Sequence, residues 1–236
     1  MLLRFFYILQ LNPFIIHKIE YMPKIIWLLC LTLCVSISTF SQNQENEENE
    51  IKYFNENYIP ISKSAYKNKR IKYDLWSIPG DSANHEILAY KEIQGKINNK
   101  DILDALLAEA TNTIIDPLKP TVIMYYPGKD ICNSTATLPK RAYKARYDKM
   151  EKKVNRIAES TIVYVYKDDE GLYDRFQGFK TWIKDPNGII EKLFFSRHYP
   201  CNSFVVISST GDFISHRGET HPENVWKALK ELSKRK

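Results

Sequence analysis

Runs of hydrophobic residues alternate with helical patterns in the second half of the chain. Thr121–Tyr126 is a continuous apolar run, which is typical of a strand buried on both faces. Thr161–Tyr166 is a second run, rich in β-branched residues, and it predicts another strand. Apolar residues at helical spacing predict a helix from Thr137 to Glu159 between the two strands.

The remaining pattern predicts a short helix, a hairpin and a final helix. Ile189–Phe195 has helical spacing, and Ser203–Ser208 and Phe213–Arg217 read as two strands joined by a tight turn. Thr220 followed by Glu223 predicts a capping box at the start of the last helix. The resulting order is β-α-β-α-β-β-α, in which the parallel strands are joined by a right-handed crossover.

The segment before this pattern has a different character. Residues 51–116 predict strands at Lys69–Ile78 and Glu86–Ile97, followed by a helix at Asp101–Thr111. A proline-containing break follows the helix. We therefore predict an α+β extension over residues 51–116 and an α/β domain over residues 117–236.

The N-terminal region resembles an export signal. Met22–Lys24 is a short positive segment, and Ile25–Val35 is an apolar stretch too short to span a bilayer. Residues 1–21 fit no export pattern, which predicts that translation starts at Met22. Residues 1–41 are then an upstream segment plus a signal peptide, and the polar residues 42–50 are a disordered leader.

Export determines the predicted location and the cysteine chemistry. The mature chain is expected to be periplasmic or secreted, with no integral membrane span. The alternative is an apolar N-terminal anchor that includes Phe5–Ile16. Cys30 and Cys34 leave with the signal peptide. Cys132 and Cys201 then lie in an oxidising compartment, where a disulfide can persist.

Composition narrows the class of protein. The 236 residues are 44% hydrophobic and 26% charged, as in ordinary globular proteins, and the net charge is +6. Basic residues are spread among acidic ones instead of forming a cluster, which argues against a nucleic acid partner. The sequence has no glycine-rich phosphate loop and no nucleophile elbow. We therefore predict no cofactor.

The order of elements and the cysteine positions together resemble the thioredoxin fold over residues 117–236. Cys132 follows the strand Thr121–Tyr126, and Pro200 and Cys201 directly precede the strand at Ser203. The resemblance implies a three-layer sandwich with a mixed central sheet. It also implies a cis Tyr199–Pro200 bond that lies against the active site. The placement of the only two mature cysteines leads to the hypothesis that Cys132 is the attacking thiolate and Cys201 the resolving partner.

The loop after the first strand departs from that family. It contains one cysteine and no Cys-x-x-Cys, so the usual resolving thiol is missing. The leading hypothesis is an exported thiol–disulfide oxidoreductase that uses Cys132 and Cys201 on protein thiols or disulfides. One alternative is a non-catalytic binding module with a structural disulfide and an envelope protein as its partner. The other is a Sco-like copper protein, in which His198 joins the two cysteines as a metal ligand.

Overall fold

A six-stranded mixed sheet lies at the centre of the unit Lys52–Lys236. The structure is a computed structural model that describes residues 50–134 and 138–235. In chain order the strands are β1 (Lys52–Phe54), β2 (Pro60–Ile61), β3 (Trp76–Pro79), β4 (His85–Ala89), β5 (Glu92–Lys96), β6 (Thr121–Tyr126), β7 (Thr161–Tyr166), β8 (Ile183–Lys184), β9 (Ser203–Ile207) and β10 (Asp212–His216). The helices are α1 (Lys63–Lys72), α2 (Lys100–Thr111), α3 (Ile131–Ser134), α4 (Lys140–Ile157), α5 (Leu172–Phe176), α6 (Ile189–Phe194) and α7 (Pro222–Leu232).

The connectivity of the central sheet defines the fold. The strands stand in the order β5-β10-β9-β6-β7-β8. β6 and β7 run parallel, and α3 and α4 lie between them in the chain. β9 is antiparallel to β6, β10 is antiparallel to β9, and α7 follows. A parallel βαβ unit followed by an antiparallel hairpin and a helix, in this strand order, is a thioredoxin-like fold. The predicted fold class is therefore confirmed.

Two hydrophobic cores lie on opposite faces of the sheet, because neighbouring residues of a strand point to opposite sides. Ile123 and Tyr125 of β6 belong to one core, together with residues of α2 and α6. Val122, Met124 and Tyr126 belong to the other core, together with residues of α4 and α7. Every residue of β6 is buried, as its continuous apolar pattern predicts. The sheet and the helices on its two faces form the three layers.

The segment before residue 117 contributes to both the central sheet and one of the cores. β5 pairs antiparallel with β10 along its whole length. A second sheet, in the order β2-β1-β4-β3, contributes Ile78 and Ile87 to the same core as Ile123. Residues assigned from the sequence to an extension therefore form one edge of the central sheet and part of its cover.

The strand predicted at Lys69–Ile78 is wrong over most of its length. The residues up to Lys72 belong to α1, which starts after Ser62, and the Ser62 side chain accepts a hydrogen bond from the Ala65 N–H at 3.3 Å. The alternation that suggested a strand does not correspond to a buried face, since the side chain of Ile71 is 81% exposed. Tyr66, on the opposite side of α1, is the buried residue.

The predicted capping box of the last helix is also wrong. α7 begins at Pro222, and His221 is the residue that precedes it. The Thr220 hydroxyl instead donates a hydrogen bond to the carbonyl oxygen of Asn202 at 2.7 Å. The spacing of Thr220 and Glu223 fits a capping box, but a tertiary hydrogen bond engages the Thr220 hydroxyl.

The predicted export signal and upstream segment, residues 1–41, lie outside the described residues, and so do leader residues 42–49 and the predicted helix start at Thr137. Among the helices of residues 50–134 and 138–235, none has the length and apolar character needed to cross a membrane. The proposed division into a leader, an extension and a domain remains a prediction.

Candidate functional site

A disulfide joins Cys132, in the one-turn helix α3 after β6, to Cys201, in the loop before β9. The two Cα atoms are 5.3 Å apart although 69 positions separate the residues in the chain. This separation lies within the usual range for a disulfide. Both cysteines are half-buried, so the bridge lies at the edge of the domain and not within either core. The antiparallel pairing of β6 and β9 places these two loops at the same end of the sheet.

The Tyr199–Pro200 peptide bond is trans, because no residue in the described part of the chain has a cis peptide bond. The predicted cis bond is therefore wrong, and the comparison of Pro200 with the family's cis-proline does not hold. The chain turns at the next residue instead, where Cys201 has a φ of 63°. This left-handed conformation costs a residue with a side chain about 1–2 kcal/mol. Hydrogen bonds to Asp130 and from Glu219 hold the backbone at Cys201 in this conformation.

Asp130 is the main partner of the Cys201 loop. Its Oδ2 accepts a hydrogen bond from the Cys201 N–H at 2.8 Å, and its Oδ1 accepts one from the Asn133 N–H at 2.7 Å. The side chain of Asn133 reciprocates by accepting from the Asp130 N–H at 3.0 Å. The carboxylate therefore binds the α3 turn that carries Cys132 to the loop that carries Cys201, and it does so beside the disulfide.

Gly128 shapes the loop between β6 and α3. Gly128 has a φ of 116°, and a Cβ at this position would lie 3.0 Å from the Cβ of Asp168. Its carbonyl oxygen accepts a hydrogen bond from Nδ2 of the buried Asn133 at 2.8 Å. A side chain at position 128 would therefore meet both backbone strain and a close contact.

The segment before α7 forms hydrogen bonds with the other side of the Cys201 loop. The Glu219 N–H donates to the carbonyl oxygen of Pro200 at 2.9 Å. The Gly218 N–H donates to the Ser203 hydroxyl at 2.9 Å. Gly218 has a φ of 74°, and a Cβ there would lie 3.0 Å from the Pro200 carbonyl oxygen. Only glycine allows the two segments to approach this closely, and the contact fixes the backbone next to Cys201.

The ligand-type atoms that converge at the bridge differ from the predicted metal set. Within the described residues, Asp130, Cys132 and Cys201 form a group whose ligand atoms all lie within 4.8 Å of one another. His198 is not a member of this group. Its Nε2 lies 3.4 Å from Oδ2 of Asp130, and its side chain is 47% exposed. Cysteine binds metals as a thiolate, so these sulfur atoms would have to be reduced first.

A cavity of about 290 Å³ opens beside the disulfide. Both cysteines line it, and α4 and α5 supply an aromatic wall made of Tyr143, Tyr147 and Phe176. Burial raises the pKa of Tyr147 to about 12. Nδ2 of Asn202 donates to that hydroxyl oxygen at 3.3 Å.

Charged residues complete the cavity, and the sequence did not reveal them. Arg146 from α4, Arg175 from α5 and Glu219 from the segment before α7 lie along its wall. Helical spacing identified Tyr143 and Tyr147 only as core candidates, and α5 was not predicted. No linear motif connects residues of three separate segments, so the cavity could be recognised only in the folded chain.

Asp130→Asn is expected to speed the attack of an anionic thiol on the disulfide by about fivefold at low salt. The carboxylate oxygen lies within 4.8 Å of both sulfur atoms and repels an incoming thiolate. The rate of disulfide opening by a small anionic thiol in excess measures the effect. Glu170→Gln is the matched control, because Glu170 is exposed and paired with Lys129 at 3.1 Å. A slower or unchanged rate in Asp130→Asn would contradict the repulsion.

The described residues therefore form a thioredoxin-like fold that carries a disulfide beside an open cavity. No family model matches the sequence, and no curated protein matches it.

The solved structures that resemble the chain include the following two. One is the exposed lipoprotein thioredoxin of Streptococcus pneumoniae strain TIGR4, with 15% identity, coverage of 49% of this chain and 87% of that chain, and a TM-score of 0.33. The other is a secreted disulfide oxidoreductase of Mycobacterium tuberculosis homologous to E. coli DsbE, with 14% identity, coverage of 48% and 82%, and a TM-score of 0.32. Both TM-scores are low, so the fold assignment above rests on strand order and connectivity.

Proposed function

We propose that this chain is an exported thiol–disulfide oxidoreductase that uses Cys132 and Cys201 on protein substrates. The observation that supports this proposal is the position of the disulfide. It is half-buried at the wall of a cavity that is open to solvent, where another thiol or disulfide can reach it. A bridge that serves only to join core elements would not need such access, since reactivity requires exposure.

The surroundings of the two cysteines suggest different roles for them. Hydrogen bonds from Cys201 to Asp130, and from Glu219 to the preceding carbonyl group, hold the Cys201 backbone on two sides. Cys132 lies in a one-turn helix next to Ile131, whose side chain is 90% exposed. An exposed apolar side chain next to the bridge suits contact with a polypeptide. Cys132 is thus the attacking residue in our proposal, and Cys201 resolves.

The reaction starts from the reduced protein. The thiolate of Cys132 attacks one sulfur of a substrate disulfide, which breaks that S–S bond, forms a mixed disulfide and releases the first substrate thiolate. The thiolate of Cys201 then attacks Sγ of Cys132, which forms the Cys132–Cys201 bond and releases the second substrate thiolate. The two leaving thiolates take up the protons given up by the two cysteines. The substrate gains two electrons, and an external thiol reductant restores the protein dithiol.

Cys132→Ser is expected to abolish reduction of an insulin-type disulfide substrate by the protein with a thiol reductant. Cys201→Ser is expected to accumulate the mixed disulfide, because attack still occurs and resolution does not. Mass spectrometry of the quenched reaction detects the adduct. All variants carry Cys30→Ser and Cys34→Ser, so that Cys132 and Cys201 are the two cysteines under test.

Ser134→Ala is the control for these variants, since Ser134 is exposed in the same helix and its hydroxyl donates to the carbonyl oxygen of Ile131 at 3.2 Å. Equal substrate reduction by the wild type and Cys132→Ser would end the catalytic proposal. The export part of the proposal rests on the signal pattern before Gln42, and the N-terminus of the secreted chain checks it.

A further inference from the structure

The cavity beside the disulfide holds two arginines with few partners. Arg175 is half-buried, and no ion pair or hydrogen bond within residues 50–134 and 138–235 reaches its guanidinium group. Arg146 is exposed and donates one hydrogen bond, to the carbonyl oxygen of Thr220 at 3.2 Å. Guanidinium groups bind carboxylates through two parallel hydrogen bonds. A cavity with two such groups is therefore prepared for an anion.

The acidic residues around the cavity do not neutralise the positive charge of Arg146 and Arg175. Glu219 is the acidic residue that lines the cavity, and it is exposed to solvent. The Asp130 carboxylate lies within 4.8 Å of both sulfur atoms, but it accepts the N–H groups of Cys201 and Asn133 and does not line the cavity. Asp148 and Glu151 of α4 are paired with lysines. The basic residues of α4 are Lys140, Arg141, Lys144, Arg146, Lys149, Lys152, Lys153 and Arg156.

The size and the aromatic wall of the cavity further restrict the kind of ligand that it can bind. A volume of about 290 Å³ lies at the lower limit for drug-sized ligands and suits one or two amino-acid side chains. Tyr143, Tyr147 and Phe176 offer an apolar surface for the stem of such a side chain. Because both cysteines line the same cavity, a group bound there lies next to the reacting sulfur atoms.

We propose that this cavity binds an acidic side chain next to the reacting cysteine of an extended protein substrate. The carboxylate binds Arg175 and Arg146, and the aliphatic stem packs against the aromatic wall. The acidic residue brings the substrate sulfur to Cys132. This inference rests on the proposed oxidoreductase function and adds a substrate class to it, namely polypeptides with Asp or Glu beside the cysteine.

The test uses short peptides in which one cysteine forms a mixed disulfide with a chromophoric thiol. Glu, Gln or Lys flanks that cysteine, and the reduced full chain carries Cys30→Ser and Cys34→Ser. The rate of chromophore release should be about tenfold higher for the Glu peptide than for the Gln peptide at low salt. The Lys peptide should react most slowly. The difference should shrink at about 0.5 M salt, where exposed charges are screened.

Arg175→Gln should remove most of the preference for the Glu peptide. Arg156→Gln, the control, loses the same charge at the far end of α4 and should keep the preference. A second set of peptides with Ser in place of Cys measures binding without chemistry, by fluorescence anisotropy on the disulfide form. The Glu peptide should bind about fivefold more tightly than the Gln peptide.

The outcomes separate the two proposals. Equal rates for the Glu and Gln peptides, or a preference that survives Arg175→Gln, would overturn the acidic-substrate inference and leave the oxidoreductase function intact. Failure to react with every peptide would overturn the oxidoreductase function. In that case the Ser peptides still decide about the cavity, because tighter binding of the Glu peptide supports the anion site and equal binding refutes it.

Discussion

Reduction of the Cys132–Cys201 bridge is expected to lower the free energy of unfolding by about 4 kcal/mol. The bridge closes a segment of 69 residues, and a cross-link over this length removes much conformational entropy from the unfolded chain. Urea unfolding of the oxidised and reduced full chain measures the difference. The double variant Cys132→Ala, Cys201→Ala should match the reduced protein. A loss below about 1 kcal/mol would contradict the loop-closure estimate.

The same free energy appears in the redox equilibrium. A thermodynamic cycle requires that the folded chain resist reduction more than the unfolded chain by the same 4 kcal/mol, which is about a thousandfold in the equilibrium constant. For a two-electron couple this corresponds to about 90 mV. The fold therefore favours the disulfide, which makes the reduced protein a donor of electrons. This direction agrees with the proposed reduction of substrate disulfides.

The reduction potential of the native bridge decides between the two roles of the cysteine pair. Structural disulfides in secreted proteins have potentials below about −300 mV, and catalytic pairs that exchange with thiols lie higher. Equilibration with thiol buffers of known potential measures the value. A potential far below about −300 mV would assign the bridge a structural role. The chain would then be a binding module, and the cavity beside the bridge would be its candidate binding site.

The sequence predicted the central strands well because their patterns are unambiguous. β6 and β7 have the predicted boundaries, since a strand buried on both faces is a continuous apolar run. The alternation around Ile71 does not mark a strand, because alternation over a few residues also arises on a helix with one buried side chain, here Tyr66. β8 has only two residues, too few to leave a periodic signal.

The sequence predicted which residues carry the chemistry of the site, but it did not predict the geometry around them. Two cysteines at strand ends pointed to a bridge, because the residue type itself carries the information. The geometry around them depends on long-range contacts, such as the bond from Cys201 to Asp130 across 71 positions. The same contacts explain why Pro200 needs no cis bond. The left-handed backbone at Cys201 turns the chain, and nothing in the local sequence distinguishes the two solutions.

Raising the pH above about 10 is expected to destabilise the protein steeply, because buried tyrosines remain neutral in the folded chain. Burial raises the pKa of Tyr66, Tyr126 and Tyr147 to about 12 each. Burial also raises the pKa of Tyr125 and Tyr164, and for Tyr164 the hydrogen bond it donates to Glu151 adds to the effect. In the unfolded chain the same groups ionise near pH 10.

Stability falls with rising pH because the folded chain holds more protons than the unfolded chain above about pH 10. Above about pH 10 the unfolded chain binds fewer protons than the folded chain, so stability is complete below that pH and falls as the pH approaches 12. Each tyrosine contributes up to about 1.4 kcal/mol per pH unit, and a discount for partial solvation leaves roughly 5 kcal/mol for the five tyrosines named above near pH 11.

Urea unfolding at rising pH should show this loss of stability, with tyrosinate absorbance and circular dichroism changing together. Tyr164→Phe should flatten the slope, and Tyr73→Phe, at an exposed position, should not. Gradual ionisation with an intact dichroism signal would show that these tyrosines titrate in the folded state.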